Sequence, residues 1–208
     1  MSIARTVKHY VIEHAFVHKA LRQHLLNYSS LARKIIKDCS LSPKDFGAIV
    51  VALRRIQDKH PDMTTRKIAR ILQESHLEIR TGIVVFIIEK EYLGKKVTEL
   101  HARVKDAKGS IHVIEGVDVM TIITTTDCER LVTHYFRSEI ISKQGHLVEL
   151  ILRSPQFLEN TPGVTSYLCG LLAERDVNIV EMMSCWTDTI FIIAENDLEK
   201  AVAAFSVS

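Results

Sequence analysis

The chain is 208 residues long, with 47% hydrophobic and 25% charged residues, which suits one large domain or two to three small ones, each with a real core. No run approaches the ~20 apolar residues of a membrane span. The first residues, MSIARTVKHYVIEH, break their apolar positions with charge every few residues, so neither an anchor nor a signal peptide is expected and the cytoplasm is the expected location.

Cys39, Cys128, Cys169 and Cys185 stand far apart with no CxxC pair, the pattern of buried thiols in a reducing compartment rather than of a disulfide frame or zinc site. The net charge of +2 hides a segregation. Residues 1–75 hold seven Lys and seven Arg against six acids, a net of +8, and the remainder carries −6. Such asymmetry points to two functional regions, the basic one suited to a polyanion, although a basic helical surface can also be merely solvated.

Residues up to about Ser75 read as helix. Val7, Tyr10, Val11, His14, Val17, Leu21, Leu25 and Leu26 recur at three- and four-residue steps, placing them on one helical face. Ser29 or Ser30 is positioned to cap a second helix, SSLARKIIKD. Ser42-Pro43-Lys44-Asp45 then starts a third: a serine cap, a proline at the first helical position, and an acid at the positive end of the dipole. That helix is expected to bury Phe46, Ile49, Val50, Leu53 and Ile56 and to show Lys44, Arg54, Arg55 and Asp58, ending at Pro61. Thr64-Thr65 begins a short basic helix, TTRKIARILQES.

From Leu77 the period changes. LEIRTGIVVFIIEK is β-branched and reads as a strand bent at Gly82, KKVTELHARVKD as a helix, and SIHVIEGVDVMTIITTT as a strand pair turning near Glu115-Gly116. DCERLVTHYF is a helix and SEIISK a short strand. The same order then recurs: HLVELILRS, TPGVTSYLCGLLAERD, NIVEMMSCW, DTIFIIAEN and DLEKAVAAF, with the final strand lacking or very short. The expected class is α+β, with a helical domain over 1–75 followed by two ferredoxin-like βαββαβ units, 76–144 and 145–208.

The string TPGVTSYLCGLLAERDVNIVEMMSCWTDTIFIIAENDLEKAVAAF resembles the ACT domains of aspartate kinases. The resemblance rests on Pro162-Gly163-Val164 before the first helix, Asn178-Ile179 opening the second strand, Thr187-Asp188-Thr189-Ile190 leading into the third, and Asp197 with Lys200-Ala201. It covers about a quarter of the chain. It implies a regulatory domain whose effector, an amino acid, binds between the first loop and the second strand of a neighbouring unit. Asn160, Thr161, Pro162, Gly163, Val164, Asn178 and Ile179 are the ligand-facing candidates it implies. Physically, Thr161-Pro162-Gly163 precedes a helix whose unpaired N–H groups favour a carboxylate. Gly163 permits close backbone approach, and Asn160 adds a donor and an acceptor. The unit at 76–144 lacks the Pro-Gly and Asn-Ile signatures, so it is ACT-like in topology only.

NYSSLARKIIKDCSLSPKDFGAIVVALRRI resembles the helix-turn-helix region of archaeal regulators that carry ACT domains. Two short helices with a tight connection can set the second into the major groove of duplex DNA. Candidate contacts are Arg33, Lys34, Lys44, Arg54, Arg55, Arg66, Lys67 and Arg70, mostly to phosphate, because few Asn, Gln, Ser or Thr are placed for base reading.

His14 and His18 stand at i, i+4 beside Tyr10 but no third ligand is evident, so no metal is expected. Cys169 and Cys185, in apolar segments, read as inert packing, and Trp186 marks a turn. No cofactor site and no catalytic constellation emerge. Two functions stay open: an amino-acid-responsive transcriptional regulator acting as a homodimer, and a sensor module that binds and regulates a metabolic enzyme without DNA.

Overall fold

A computed structural model describes residues 2–22, 25–58, 63–90 and 94–206. The chain forms two compact units, 1–66 and 67–208.

The first unit is helical: α1 (Ile3–Glu13), α2 (Ala15–Arg22), α3 (Tyr28–Asp38) and α4 (Phe46–Asp58). Val7, Tyr10, Val11, Leu21, Ile35, Ile49 and Leu53 form its core. The single N-terminal helix expected from periodicity is two, broken at His14. There the imidazole Nδ1 lies 2.8 Å from the carbonyl of Tyr10 and competes for a backbone acceptor at the end of α1. Leu25, expected on the apolar face, is exposed. The cap of α3 is Asn27, whose side chain accepts from the Ser30 N–H at 3.1 Å, and not Ser29 or Ser30.

Ser42 behaves as expected. Its hydroxyl accepts from the Lys44 N–H, and Asp45 accepts from the Ser42 N–H at 3.2 Å, around a single 3₁₀ turn over Pro43–Asp45. Ile49 and Leu53 are fully buried, while Phe46, Val50 and Ile56 are half-buried. The Asp58 side chain and Pro61 lie outside the described residues.

The second unit begins with the body of α5 (Met63–Glu74), whose Ile68 and Ile71 enter its core. Then follow β1 (His76–Glu89), α6 (Gly94–Asp106), β2 (Ile111–Glu115), β3 (Val119–Thr125), α7 (Glu129–Phe136), β4 (Ile140–Arg153), α8 (Val164–Ala173), β5 (Ile179–Cys185), β6 (Asp188–Ala194) and α9 (Leu198–Phe205). One antiparallel sheet runs β2-β3-β1-β4-β6-β5.

Two strands differ from the expectation. SEIISK and HLVELILRS, read as separate, are one strand, β4, that continues through Gly145 and His146. The last strand, expected to be lacking or very short, has its place filled from far upstream. His76–Arg80 of β1 pairs with 149–153 of β4, while Ile83–Glu89 of the same strand pairs with β3. β1 and β4 thus run through both halves of the sheet. One half is β2, β3, the end of β1 and the start of β4; the other is the start of β1, the end of β4, β6 and β5.

Alternation sends side chains to two cores. Val84, Phe86 and Ile88 pack with Leu100, Val104, Val132 and Phe136 beneath α6 and α7. Val148, Leu150, Leu152, Phe191 and Ile193 pack with Leu168, Leu172 and Phe205 beneath α8 and α9. Residues of opposite parity, Ile83, Val85, Ile123, Leu147, Ile151, Ile190 and Ile192, meet one another on the remaining face. The sheet curls to achieve this. Thr121 on β3 donates to Glu181 on β5 at 3.3 Å, although β1, β4 and β6 lie between them in the sheet order. Burial on both faces explains why IVVFIIE reads as an unbroken apolar run.

Candidate functional site

The loop from β4 to α8 is fixed by its own backbone. After a 3₁₀ turn at Gln156–Leu158, the Thr161 N–H donates to Leu158 O at 3.0 Å, and its buried hydroxyl donates to Phe157 O at 2.8 Å. Gly163 has φ +87° and ψ 0°, the angles of the third position of a type II turn, and Pro162 suits the second. A Cβ built on Gly163 meets nothing within 4 Å. Backbone conformation, rather than crowding, therefore demands glycine there. No side chain caps α8, so the N–H groups of its first turn face outward beside exposed Asn160 and Pro162. Val164 is buried in the core below.

Asn178 and Ile179 lie elsewhere. They follow the C-terminal end of α8, whose ten residues span ~15 Å. Within one unit the loop at 160–164 and the start of β5 are at opposite ends of that helix. Asn178 is exposed, and Ile179 packs on the core. Among the described residues the only strand that pairs with the backbone of β5 is β6, so its outer edge is open. The tip of the β5–β6 hairpin lies beside the loop's first residues, with the Ser154 N–H donating to Thr187 O at 2.9 Å. Trp186 at that tip is 62% exposed and takes φ +52°.

Cys169 faces Met182 with sulfur atoms 3.7 Å apart, and burial pushes its thiol pKa up, consistent with inert packing. Cys185 is exposed, contrary to expectation, because it ends β5 at the hairpin tip, past the core.

The basic candidates divide between the two units. In the first, the Arg33 guanidinium lies 5.9 Å from the Phe46 ring centre and that of Arg54 lies 5.9 Å from the Tyr28 ring. Lys34 pairs with Asp38 at 3.2 Å, and Lys44 and Arg55 are exposed. In the second, Lys67 is exposed, while Arg70 pairs with Glu74 at 2.6 Å over the Phe157 ring. The Arg66 and His18 side chains lie outside the described residues. His14 stacks on Tyr10 with ring centres 4.1 Å apart. Among the described residues no group of three or more His, Cys, Asp or Glu could hold a metal ion, and no helix is long and apolar enough to cross a membrane.

A polar network inside the second unit escaped the sequence reading. Glu149 is fully buried, with its carboxylate 2.6 Å from His112 Nε2 and 3.2 Å from the Arg80 guanidinium. Arg80 also pairs with Glu78, which pairs with Arg153. The available signal was one acid in the middle of LVELIL, a strand buried on both faces.

Residues 147–206 match the model of the family described as the ACT domain. No curated protein matches the sequence. Among solved structures, aspartate kinase from Clostridium acetobutylicum resembles 62% of this chain with a TM-score of 0.52 and 17% identity, and this chain spans only 33% of that enzyme. The regulatory subunit of aspartate kinase from Thermus thermophilus resembles 62% of this chain, with 92% of that subunit covered, a TM-score of 0.50 and 12% identity. Aspartate kinase from Synechocystis gives 0.50 and 17% over 62% of this chain and 26% of that one. At these identities the likeness establishes an α+β fold alone, and the ACT domain over 147–206 rests on the family match.

Proposed function

We propose that this protein is an amino-acid-responsive transcriptional regulator, with a helix-turn-helix-like domain over 1–75, a divergent ACT-like unit over 76–144 and an ACT sensor over 145–208. The match of residues 147–206 to the ACT domain carries the reading. In it, the effector carboxylate meets the uncapped N–H groups of α8 beside Asn160, Thr161 and Pro162, with Gly163 setting the turn. Asn178 and Ile179 are too far along α8 to share that ligand within one unit. Antiparallel pairing of two open β5 edges would bring them beside the loop of a second copy, so the working form is a homodimer. The basic N-terminal helices bind duplex DNA through phosphate contacts, and no catalytic step is involved.

A second reading has its own support. The Thermus chain of similar fold is a regulatory subunit of aspartate kinase, and Lys34 and Arg70 are already ion-paired. On that reading the chain binds and regulates a metabolic enzyme.

Fluorescence anisotropy of a labelled duplex at low salt, with each protein amino acid added in turn, separates the two. A regulator binds the duplex and one amino acid shifts its affinity; by linkage, duplex shifts that amino acid's affinity equally. Absence of binding at low salt removes the regulator and leaves the enzyme-binding module.

A further inference from the structure

The ladder between β1 and β4 is broken at the waist where the two halves of the sheet join. Arg80 pairs with Glu149, Ile83 with Leu147 and Val85 with Gln144, so Gly82 and His146 fall out of register. Both take left-handed angles, Gly82 at φ +68° and His146 at φ +55°. Glycine adopts this region freely, but a residue with a Cβ does so at a cost, and such positions concentrate at ligand sites.

Beside the break lies a half-open cleft of about 360 Å³, within the size range of small-molecule sites. Its lining mixes both signs of charge, Lys143 with Glu129 and Glu195, and adds the His146 imidazole as a hydrogen-bonding group. Thr126 on the rim donates to Gly82 O at 2.8 Å, tying the start of α7 to the bulge. Lys143 pairs with Glu129. Among the described residues the His146 and Glu195 side chains have no hydrogen-bond or ion-pair partner. The lining comes from both halves, Glu129 from α7 and Glu195 from the turn after β6.

A simple anion here would face two carboxylates, and a simple cation would face Lys143. A molecule with both charges satisfies both sets. We propose that this cleft binds a small zwitterion, its carboxylate toward Lys143 and His146 and its ammonium toward Glu129 and Glu195. The occupant joins side chains of both halves and so ties their relative setting to its presence. This site is separate from the 160–164 loop and stands or falls without it.

The test uses the full chain and each protein amino acid as probe, in thermal shift and then calorimetry. At least one amino acid raises the melting temperature of the wild type and of Gly163→Ala alike. Its affinity falls at least tenfold in Lys143→Met and in Glu195→Gln, both exposed substitutions that leave the core untouched. The analogue lacking the amine and the analogue lacking the carboxylate each bind at least tenfold more weakly. The proposal is overturned if no amino acid binds Gly163→Ala, if binding survives both cleft substitutions, or if either analogue binds as well as the parent.

Discussion

The Glu149 carboxylate on β4 meets the His112 imidazole on β2 at 2.6 Å, although β1 and β3 lie between them in the sheet order. The contact exists because the sheet curls over its own apolar face, and it pins the curl with a buried carboxylate that water cannot reach.

Removing that carboxylate should be costly. Glu149→Ala leaves Arg80 and His112 without their buried partner, but these two are 37% and 26% exposed and recover some hydration. The expected loss is about 1–3 kcal/mol, below that of a fully buried pair. Urea unfolding monitored by circular dichroism measures it. Glu149→Leu, which fills the space, should lose less than Glu149→Ala.

Gly163 offers a cleaner separation of shape from space. Because a Cβ there meets no atom within 4 Å while φ is +87°, Gly163→Ala should cost about 1–2 kcal/mol through backbone strain alone. Gly163→Asn should cost less, since Asn tolerates the left-handed region. Equal unfolding midpoints for glycine and alanine would mean the turn adopts another conformation.

In the helical unit, Tyr10 donates to Asp38 at 2.7 Å. Burial and then the Asp38 carboxylate raise the tyrosine pKa to about 12, and the Tyr10 hydroxyl, then Lys34, lower that of Asp38. The raised tyrosine gives stability that is complete below pH ~10 and lost as pH rises through about 12. The lowered aspartate gives stability present above its unfolded value, ~3.9, and lost as pH falls through its lower folded value. Absorbance titration should show a late tyrosine phase, and Tyr10→Phe should abolish it. The Asp38 carboxyl pKa should rise in the same variant, as read by NMR.

The DNA reading makes a quantitative demand. Four to six phosphate contacts give a log–log salt slope of about −0.9 each, so a fourfold rise in salt should weaken binding by roughly 10²- to 10³-fold. Changing Arg54 and Arg55 together to Ala should lower affinity and flatten that slope. Binding that is steep in salt but indifferent to every amino acid would show nonspecific contact only.

Local chemistry made most elements legible. The box at Ser42 and the strand character of IVVFIIE depend on neighbours within a few residues. What escaped was non-local. Gly145 beside His146 reads as a turn, yet His146 accepts a left-handed angle and the strand continues. The partner of His76–Arg80 depends on a register that no window around it contains. On the site itself, the type II turn was legible in Pro-Gly, but the distance from it to Asn178 emerged only once α8 had a direction. The break at His14 turned on one side-chain contact with Tyr10 O.

The shared strands also set an order of assembly. Arg80 and its cross-strand partner Glu149 are 69 residues apart. On a ribosome adding about 5–20 residues per second, that interval is roughly 3 to 14 seconds. The half nearer the N-terminus can complete its four strands once residue 144 has emerged, whereas His76–Arg80 must wait for β4 to be finished. During that wait Leu77 and Ile79 lie on a strand segment without its partner, open to a chaperone or to another nascent chain.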